Sequence, residues 1–575
     1  MANLKTKQWL SKAVSSESVD QLAKELGVHP VTAQLLVNRG LEEASLARQF
    51  LNPQLNEIPN PFLMKDMEKA VFFLEEAIQK KRKTVIYGDY DVDGTTGSSL
   101  LYLFLKELGA EVDVYIPHRV QEGYGLNLKA LEYLKSQNYE LVVTVDNGIS
   151  SIAEAERARE IGLDLIIIDH HQVPPQIPFA KAILNPKQVG CEYPYKELAA
   201  VGVVFQFCLA LRNHLRQKGF FATRLEPNLK KYLDLVTLGT IADMVPLTGL
   251  NRILVKNGLE VLSRSQNMGV NALKEVSGIK GEVSPGQVGF RLGPRINAAG
   301  RLDSAKLGFD LLTSSDASLV KTLAEKLDAA NRERQELQEK IVKEACERIE
   351  KGNYLQQRKS ILVFDPNWHV GVIGIVASKL VERFHLPALV GSQEGNEVRC
   401  SGRAISGLNL YEALCESAPY LKKFGGHKQA AGLHFHLENA ESFWEQFDQS
   451  VKKQLQTEED YIPKVRFDAE LSPEDINDSL IEEIQKLEPF GMGNPEPVFW
   501  SNQYKVKQQK VVGEKHLKLT LEAKNREFDA IAFGMADSQV PVFSGIECLF
   551  SCEFNEWMGN KKIQLRLLDN PRKIS

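Results

Sequence analysis

A chain of 575 residues is too long for a single hydrophobic core, and roughly three or four domains are expected. Hydrophobic residues at 43% and charged residues at 25% are ordinary globular values, which excludes extensive disorder. The net charge of −5 excludes a uniformly basic nucleic-acid binder, but 70 Lys and Arg residues are enough to line one groove while acidic residues gather elsewhere.

Residues 1–50 read as helical and lack obvious chemistry, and Pro53, Pro59 and Pro61 then punctuate a linker-like stretch. The first residues hold no apolar run of the kind a secretory signal needs. From Thr84 an alternation begins. Short β-rich runs at 84–87, 111–116, 140–145 and 163–168 are separated by helical patterns over 95–108, 128–136 and 152–161. That spacing implies right-handed βαβ units and a mostly parallel sheet. The longest apolar stretch, 198–211, is interrupted by Gln206 and too short to span a bilayer, so it reads as a buried helix and no membrane is expected.

Residues 317–351 form a charged segment with apolar residues at Leu319, Leu323, Leu327, Leu337, Ile341 and Ile349. One helix of that length reaches on the order of 50 Å and reads as a strut between two domains. A dimerising coiled coil is the weaker alternative, because Arg334 falls in the apolar seam, so a monomer is expected. A second α/β unit follows, with strands at 360–364 and 388–390 around a helix at 374–383. After residue 456 the character changes to short β runs at 465–471, 516–521, 527–533 and 562–567, as in a small β-barrel. The seven cysteines are scattered without a CxxC pair, although Cys548 and Cys552 fit one face of a strand. Buried thiols in a reducing cytoplasm follow.

The chemistry concentrates at strand ends. Gly88-Asp89-Tyr90-Asp91-Val92-Asp93-Gly94 follows the first strand, and its three carboxylates, two residues apart, repel one another unless cations sit between them. The third predicted strand ends in Asp146-Asn147-Gly148 and the fourth in Asp169-His170-His171. Asp243 is a further carboxylate embedded in apolar sequence. Ligands of open α/β sheets bind outside the carboxyl ends of the strands, where the first three of these clusters converge. Carboxylates with one or two histidines suit magnesium or manganese rather than zinc. Two such ions generate hydroxide and stabilise an in-line phosphoryl transition state, which is phosphoester hydrolysis. No Walker loop is present, so NTP-driven work is not supported.

These motifs resemble the DHH phosphoesterase superfamily, named for the triplet at 169–171, and within it the RecJ family over almost the whole length. The supporting stretches are the 88–94 run, Asp146-Asn147-Gly148-Ile149-Ser150, the run from Gly293 to Asp303, Ser401-Gly402-Arg403 and the run from Phe424 to Gly432. The resemblance implies an N-terminal helical segment (1–60), a DHH catalytic domain (61–315), a connecting helix (316–352), a DHH-associated α/β domain (353–455) and an OB-like barrel (456–575). It implies 5′-to-3′ hydrolysis of single-stranded DNA to mononucleotides with two divalent cations, magnesium or manganese, in DNA recombination and repair. Work beside single-strand-binding protein and a helicase is implied as well. Carried over, Asp91, Asp93, Asp146, His170 and Asp243 become metal ligands, with Asp146 as the bridge. Asp89 either ligates or supports a ligand, His171 contacts the scissile phosphate, and Asp169 orients an imidazole.

On the substrate side, Gly425-Gly426-His427 puts two flexible residues before an imidazole, which suits a phosphate. Ser401 and Arg403 are candidates for a phosphate, with Arg bidentate, and the resemblance implies that they and His427 anchor the 5′ end. Arg119, Arg295 and Arg301 are further candidates. Lys505, Lys507, Lys510, Lys515, Lys518 and Lys524 cluster around Tyr504 and Phe528, a pattern expected to track single-stranded backbone and stack bases. Related enzymes acting on small substrates share the metal motifs but do not need a barrel. A non-catalytic scaffold with a decayed site is opposed by intact acidic positions at every motif.

Overall fold

The computed structural model describes residues 7–12, 15–118, 122–123, 125–302, 304–352, 354–557 and 560–574. It divides into two compact units. The larger comprises Leu10–Gly300, Ser304–Glu325 and Arg466–Ser575, and the smaller Met1–Trp9, Arg301–Asp303 and Lys326–Val465.

The larger unit is built on a five-stranded sheet in the order Val112–Tyr115, Thr84–Gly88, Leu141–Val145, Asp164–Ile168, Ala182–Leu184, with every pairing parallel. Thr84–Gly88 and Leu141–Val145 are buried at every position. Continuous Val and Ile runs are what a strand covered on both faces requires. The edge strand Ala182–Leu184 is three residues long, too short to leave a pattern in the sequence. Parallel pairing sends the chain out of all five strands at one rim, where Asp89, Asp146, Asp169 and Asn185 follow four of them directly. The apolar stretch near 200 forms the helix Ala200–Gln217, in which Gln206 is fully buried.

The same unit holds a closed barrel. Phe499–Val512 pairs antiparallel with both His516–Ala523 and Gly545–Trp557, and Arg526–Ala532 closes parallel onto Asn560–Leu567. Burial alternates strictly along His516–Ala523, the signature of a strand with one wet face. The helices Ser16–Leu26, Pro30–Val37 and Ala44–Leu51 do not stand apart, because Leu22, Ala33, Leu36 and Phe50 share one core with Leu480, Leu519 and Phe550 of the barrel region.

The smaller unit is a mixed sheet in the order Lys423–Gly426, Ala430–His436, Glu397–Arg403, Ala388–Glu394, Ile361–Asp365. The last two strands pair parallel, with the helix Ile373–Phe384 between them in sequence. Phe435, Phe443 and Phe447 fill its core. The charged segment is one 35-residue helix, Ala317–Lys351, and the division between the units falls within it. Leu319, read as part of its seam, is 46% exposed. Arg334 is buried and donates to Asn331 and Gln338 of its own helix, which is how a guanidinium sits among apolar neighbours. No described helix is long and apolar enough to cross a membrane. The seven cysteines are free thiols, and Cys548 and Cys552 both face the barrel core.

Candidate active site

The first carboxylate, Asp89, lies one residue beyond Thr84–Gly88, and its amide donates to Val145 O at 3.2 Å. The chain then turns directly into the helix Val92–Glu107, capped by Asp91, whose Oδ1 accepts from Gly94 N at 3.0 Å. Gly94 is required here, because a Cβ would stand 2.7 Å from the backbone N and O of Asp89. Asp93, on the first turn, accepts from the amides of Ala200 and Val201 at 2.6 and 2.8 Å. It therefore sits against the N-terminus of Ala200–Gln217, where the helix dipole favours an anion.

Asp146 follows Leu141–Val145 in the left-handed region, at φ 66°. Its neighbour Asn147 holds the turn by donating to Tyr87 O and Val145 O at 3.2 and 2.9 Å. Asp169 is spent on its surroundings. Its oxygens accept from the amides of Ile149, His170 and His171 and stand 2.7 Å from Nδ1 of His171. His170 Nε2 lies 3.2 Å from Asp146, 3.6 Å from Asp243 and 3.8 Å from Asp93. Asp243 ends the helix Leu233–Ala242.

Three overlapping groups result: Asp89, Asp91 and Asp146; Asp93, His170 and Asp243; Asp146, His170 and His171. In each, the potential ligand atoms lie within 4.8 Å of one another, and Asp146 belongs to two of them. All eight residues expected at the centre thus meet at one rim.

The electrostatics are those of a site built for cations. Burial, then Asp91, pushes Asp93 up to about 7, and burial, then Asp93 and Asp91, pushes Asp243 up to about 9 while Lys187 pulls it down. Asp146 is raised well above the usual carboxylate range by burial and by Asp91, Asp93, Asp89 and Asp243. Burial, with His171 adding to it, pulls His170 down to about 3, so its imidazole is neutral. Burial works against charging Asp169 and His171, but their mutual hydrogen bond outweighs it, holding Asp169 low and His171 high. Nε2 of His170 and Oδ2 of Asp243 are buried without a hydrogen-bond partner among the described residues. Buried atoms of this kind need a partner, and oxygen-rich donors with one or two imidazoles fit magnesium or manganese.

Several contributors escaped the sequence reading. The amides of Ala200 and Val201 carry no side-chain signal, and neither does the close approach of Gly300, whose Cβ would meet Tyr90 O at 2.6 Å. Asn185, after the short edge strand, donates to His171 O at 2.9 Å.

In the smaller unit, Ser401 and Arg403 project from one strand beside the N-terminus of Ile373–Phe384. Arg403 donates to Ser401 Oγ at 3.2 Å and to Gly402 O at 2.8 Å, and to no carboxylate among the described residues. Burial alone depresses its guanidinium. A Cβ on Gly374 would lie 3.0 Å from Ser401 Oγ and 3.3 Å from Arg403 Nη2, so the helix start and the guanidinium are adjacent. The helix has no side-chain N-cap, and its N-terminal dipole with the guanidinium of Arg403 makes a corner that suits an anion, while the amides of Ile373 and Ile375 are already spent on His369 O and Val372 O. His427 is exposed in the turn before Ala430, which is the register partner of Arg403. Arg301 donates to Gly371 O at 3.0 Å, and Arg295 to Arg291 O at 2.7 Å within its own helix. Arg119 lies outside the described residues.

One expectation is corrected. Tyr504 and Phe528 are 0% and 4% exposed and pack edge-to-face in the barrel core, so they cannot stack on bases. The alternation of the barrel strands points them inward. An exposed ring stands instead at Phe533, one residue beyond Arg526–Ala532, 56% exposed and against His516, which is two residues before Lys518, the cross-strand partner of Lys510. Lys507 and Lys524 pair with Glu527 and Glu474.

Three family models match this chain: the DHH family, N-terminal domain, over residues 83–240; the DHHA1 domain over 357–453; and the RecJ OB domain over 467–569. A Bacillus subtilis single-stranded-DNA-specific exonuclease RecJ is 39% identical over 569 residues, covering 98% of this chain and 70% of the relative. The crystal structure of RecJ with Mn2+ from Thermus thermophilus superposes with a TM-score of 0.82 at 28% identity, covering 99% of this chain and 80% of that one. The same organism's RecJ with Mg2+ gives a TM-score of 0.77 at 27% identity, covering 99% and 79%.

Proposed function

The chain belongs to the RecJ family of DHH exonucleases, and from that premise we propose that it removes mononucleotides from the 5′ end of single-stranded DNA. The observation that carries the chemistry is the convergence of Asp89, Asp91, Asp93, Asp146, His170 and Asp243 at one rim, with Asp146 shared between two ligand groups. These residues would hold two divalent cations, magnesium or manganese, which when bound would supply a water of lowered pKa and offset charge on the phosphoryl oxygens.

The chain's own groups do the rest. Asp169 holds a proton on Nδ1 of His171 and favours the imidazolium, whose Nε2–H donates to an oxygen of the scissile phosphate. Asp93, fixed by two helix amides, keeps its geometry as charge in the site changes. The corner formed by Ser401, Arg403 and the start of Ile373–Phe384 binds the 5′ phosphate, with His427 at its edge. Arg119, Arg295 and Arg301 guide the strand. The enzyme works as a monomer in the cytoplasm, in recombination and repair, beside single-strand-binding protein and a helicase. The monomer is supported by Arg334, which finds its partners on its own helix.

The test uses purified protein with Mn2+ or Mg2+ on single strands, blunt duplexes and short RNA, labelled at either end. Mononucleotides released first from the 5′ label of single-stranded DNA are the expected result. Release from the 3′ label first, or internal cuts, would overturn the reading.

A further inference from the structure

Asn185, Pro186 and Lys187 follow the edge strand Ala182–Leu184 and run beside the Asp169–His171 segment. Asn185 is fully buried and used at both ends of its amide. Its Nδ2 donates to His171 O at 2.9 Å, and its Oδ1 accepts from Lys187 N at 2.9 Å. The backbone of Lys187 is thus tied through one side chain to the backbone of His171. On its other side Lys187 Nζ lies 3.5 Å from Glu197, and the Glu197 carbonyl is held by Asn251 Nδ2 at 2.6 Å. Glu197 stands three residues before Ala200, whose amide grips Asp93.

The lysine therefore bridges the two segments that enclose the carboxylate rim. Its side chain is 16% exposed and Glu197's is 49%, so the stem is packed and its ionic partner is half in water. A pair at 3.5 Å whose carboxylate is half in water contributes little to stability and leaves the ammonium able to change partner. The backbone of Lys187 is anchored to the segment that carries His170 and His171, and its ammonium faces the segment that leads to the amides holding Asp93. Neither the ligand set nor the His171–Asp169 pair needs it.

We propose that Lys187 is a phosphate contact of the catalytic centre, its ammonium binding an oxygen of the phosphate being cleaved and holding it in the 5′-mononucleotide product. A lysine delivers a compact positive charge with three donors, suited to a phosphate oxygen whose charge grows during the reaction. The inference rests on the exonuclease reading for its substrate, but not for its binding test.

Lys187→Met, Lys187→Arg and Glu197→Gln are compared in the full-length protein. Binding of Mn2+ alone, and of dTMP in the presence of Mn2+, is measured by calorimetry, and cleavage of a 5′-phosphorylated trinucleotide is followed in single turnover. Lys187→Met should weaken dTMP at least 10-fold and slow cleavage roughly 100-fold, as loss of one transition-state donor does, with Mn2+ affinity kept. Lys187→Arg should recover part of both, and Glu197→Gln should stay within about twofold of wild type, since a rim charge pair contributes little. Unchanged dTMP affinity in Lys187→Met overturns the proposal. So does joint loss of Mn2+ and dTMP binding, or the same losses in Glu197→Gln, because either means the lysine only holds the fold together. If the wild type cleaves nothing, the exonuclease reading fails while the dTMP comparison still decides the lysine.

Discussion

Asp146 occupies a left-handed backbone at φ 66°, a conformation that Asp and Asn tolerate better than other non-glycine residues. Asp146→Asn therefore removes the charge without disturbing the turn, whereas Ala would add backbone strain. The variant should lose hydrolysis entirely while the metal-free protein unfolds at the same temperature or higher, since one repelling buried carboxylate has gone. Cleavage at a wild-type rate would remove Asp146 from the centre. The raised carboxyls make a second prediction. Asp93 and Asp243 hold protons to about 7 and about 9 in the folded, metal-free site, but ionise near 4 when unfolded. Stability from such groups is full at acid pH and is lost as pH rises through the folded values. The melting temperature in EDTA should fall between pH 6 and pH 9, and added Mn2+ should restore more of it at pH 9. A metal-free melting temperature that rises over this window would contradict the carboxylate geometry. At this scale the sequence was informative, because carboxylates at the ends of β-rich runs announce themselves. Asn185 and Lys187 did not, because their strand is three residues long and their roles depend on which segment lies alongside.

The turn from Thr84–Gly88 into Val92–Glu107 works only if the helix start lies directly on the strand end. Gly94→Ala would push a methyl to 2.7 Å from the Asp89 backbone, displacing the carboxylates of Asp89 and Asp91 together. Mn2+ affinity measured by calorimetry should fall at least 10-fold, and wild-type affinity would show that the turn yields freely. A second inter-element joint involves none of the rim carboxylates. Arg252 is 1% exposed, stacks 3.7 Å over Phe50, and donates to the carbonyls of Phe50, Leu487 and Lys486. It ties an N-terminal helix to the end of Asp478–Lys486 with no carboxylate involved. Arg252→Met strands the two buried carbonyls of Phe50 and Leu487 and should cost about 3 kcal/mol or more in urea unfolding, leaving cleavage of trinucleotides intact at low temperature. A change under 1 kcal/mol would mean water replaces the guanidinium. The elements themselves were legible where periodicity was strong, as in the 35-residue helix and the first four parallel strands. The sharing of one core between the N-terminal helices and the barrel was not, since nothing local in residues 16–51 encodes a partner more than 400 positions away.

For the whole molecule, a net charge of −5 must be reconciled with a polyanionic substrate. Part of the negative total is concentrated in the carboxylate rim, where cations cancel it. Basic residues must therefore act in patches, and the outer face of the barrel offers one. Lys510 and Lys518 are direct cross-strand partners, an arrangement that costs stability unless an anion lies between them. Phe533 stands exposed beside His516 on the neighbouring strand end. The sequence located this lysine cluster but chose the wrong rings, because inward and outward positions of a barrel strand cannot be told apart until its register is known. If the patch tracks single-stranded backbone, each phosphate contact releases counterions and contributes about 0.7 to the slope of log affinity against log salt. Lys510→Gln with Lys518→Gln should therefore flatten the slope for a long single strand by about 1.4. Phe533→Ala should weaken binding without changing the slope, since stacking releases no counterions. Trinucleotide cleavage should be unaffected in both variants, because so short a substrate needs only the groups that act on its 5′ end. The contrast between slope and affinity separates a phosphate track from a merely solvated face. An unchanged slope in the double lysine variant, with full affinity for long strands, would assign the barrel to holding the N-terminal helices alone.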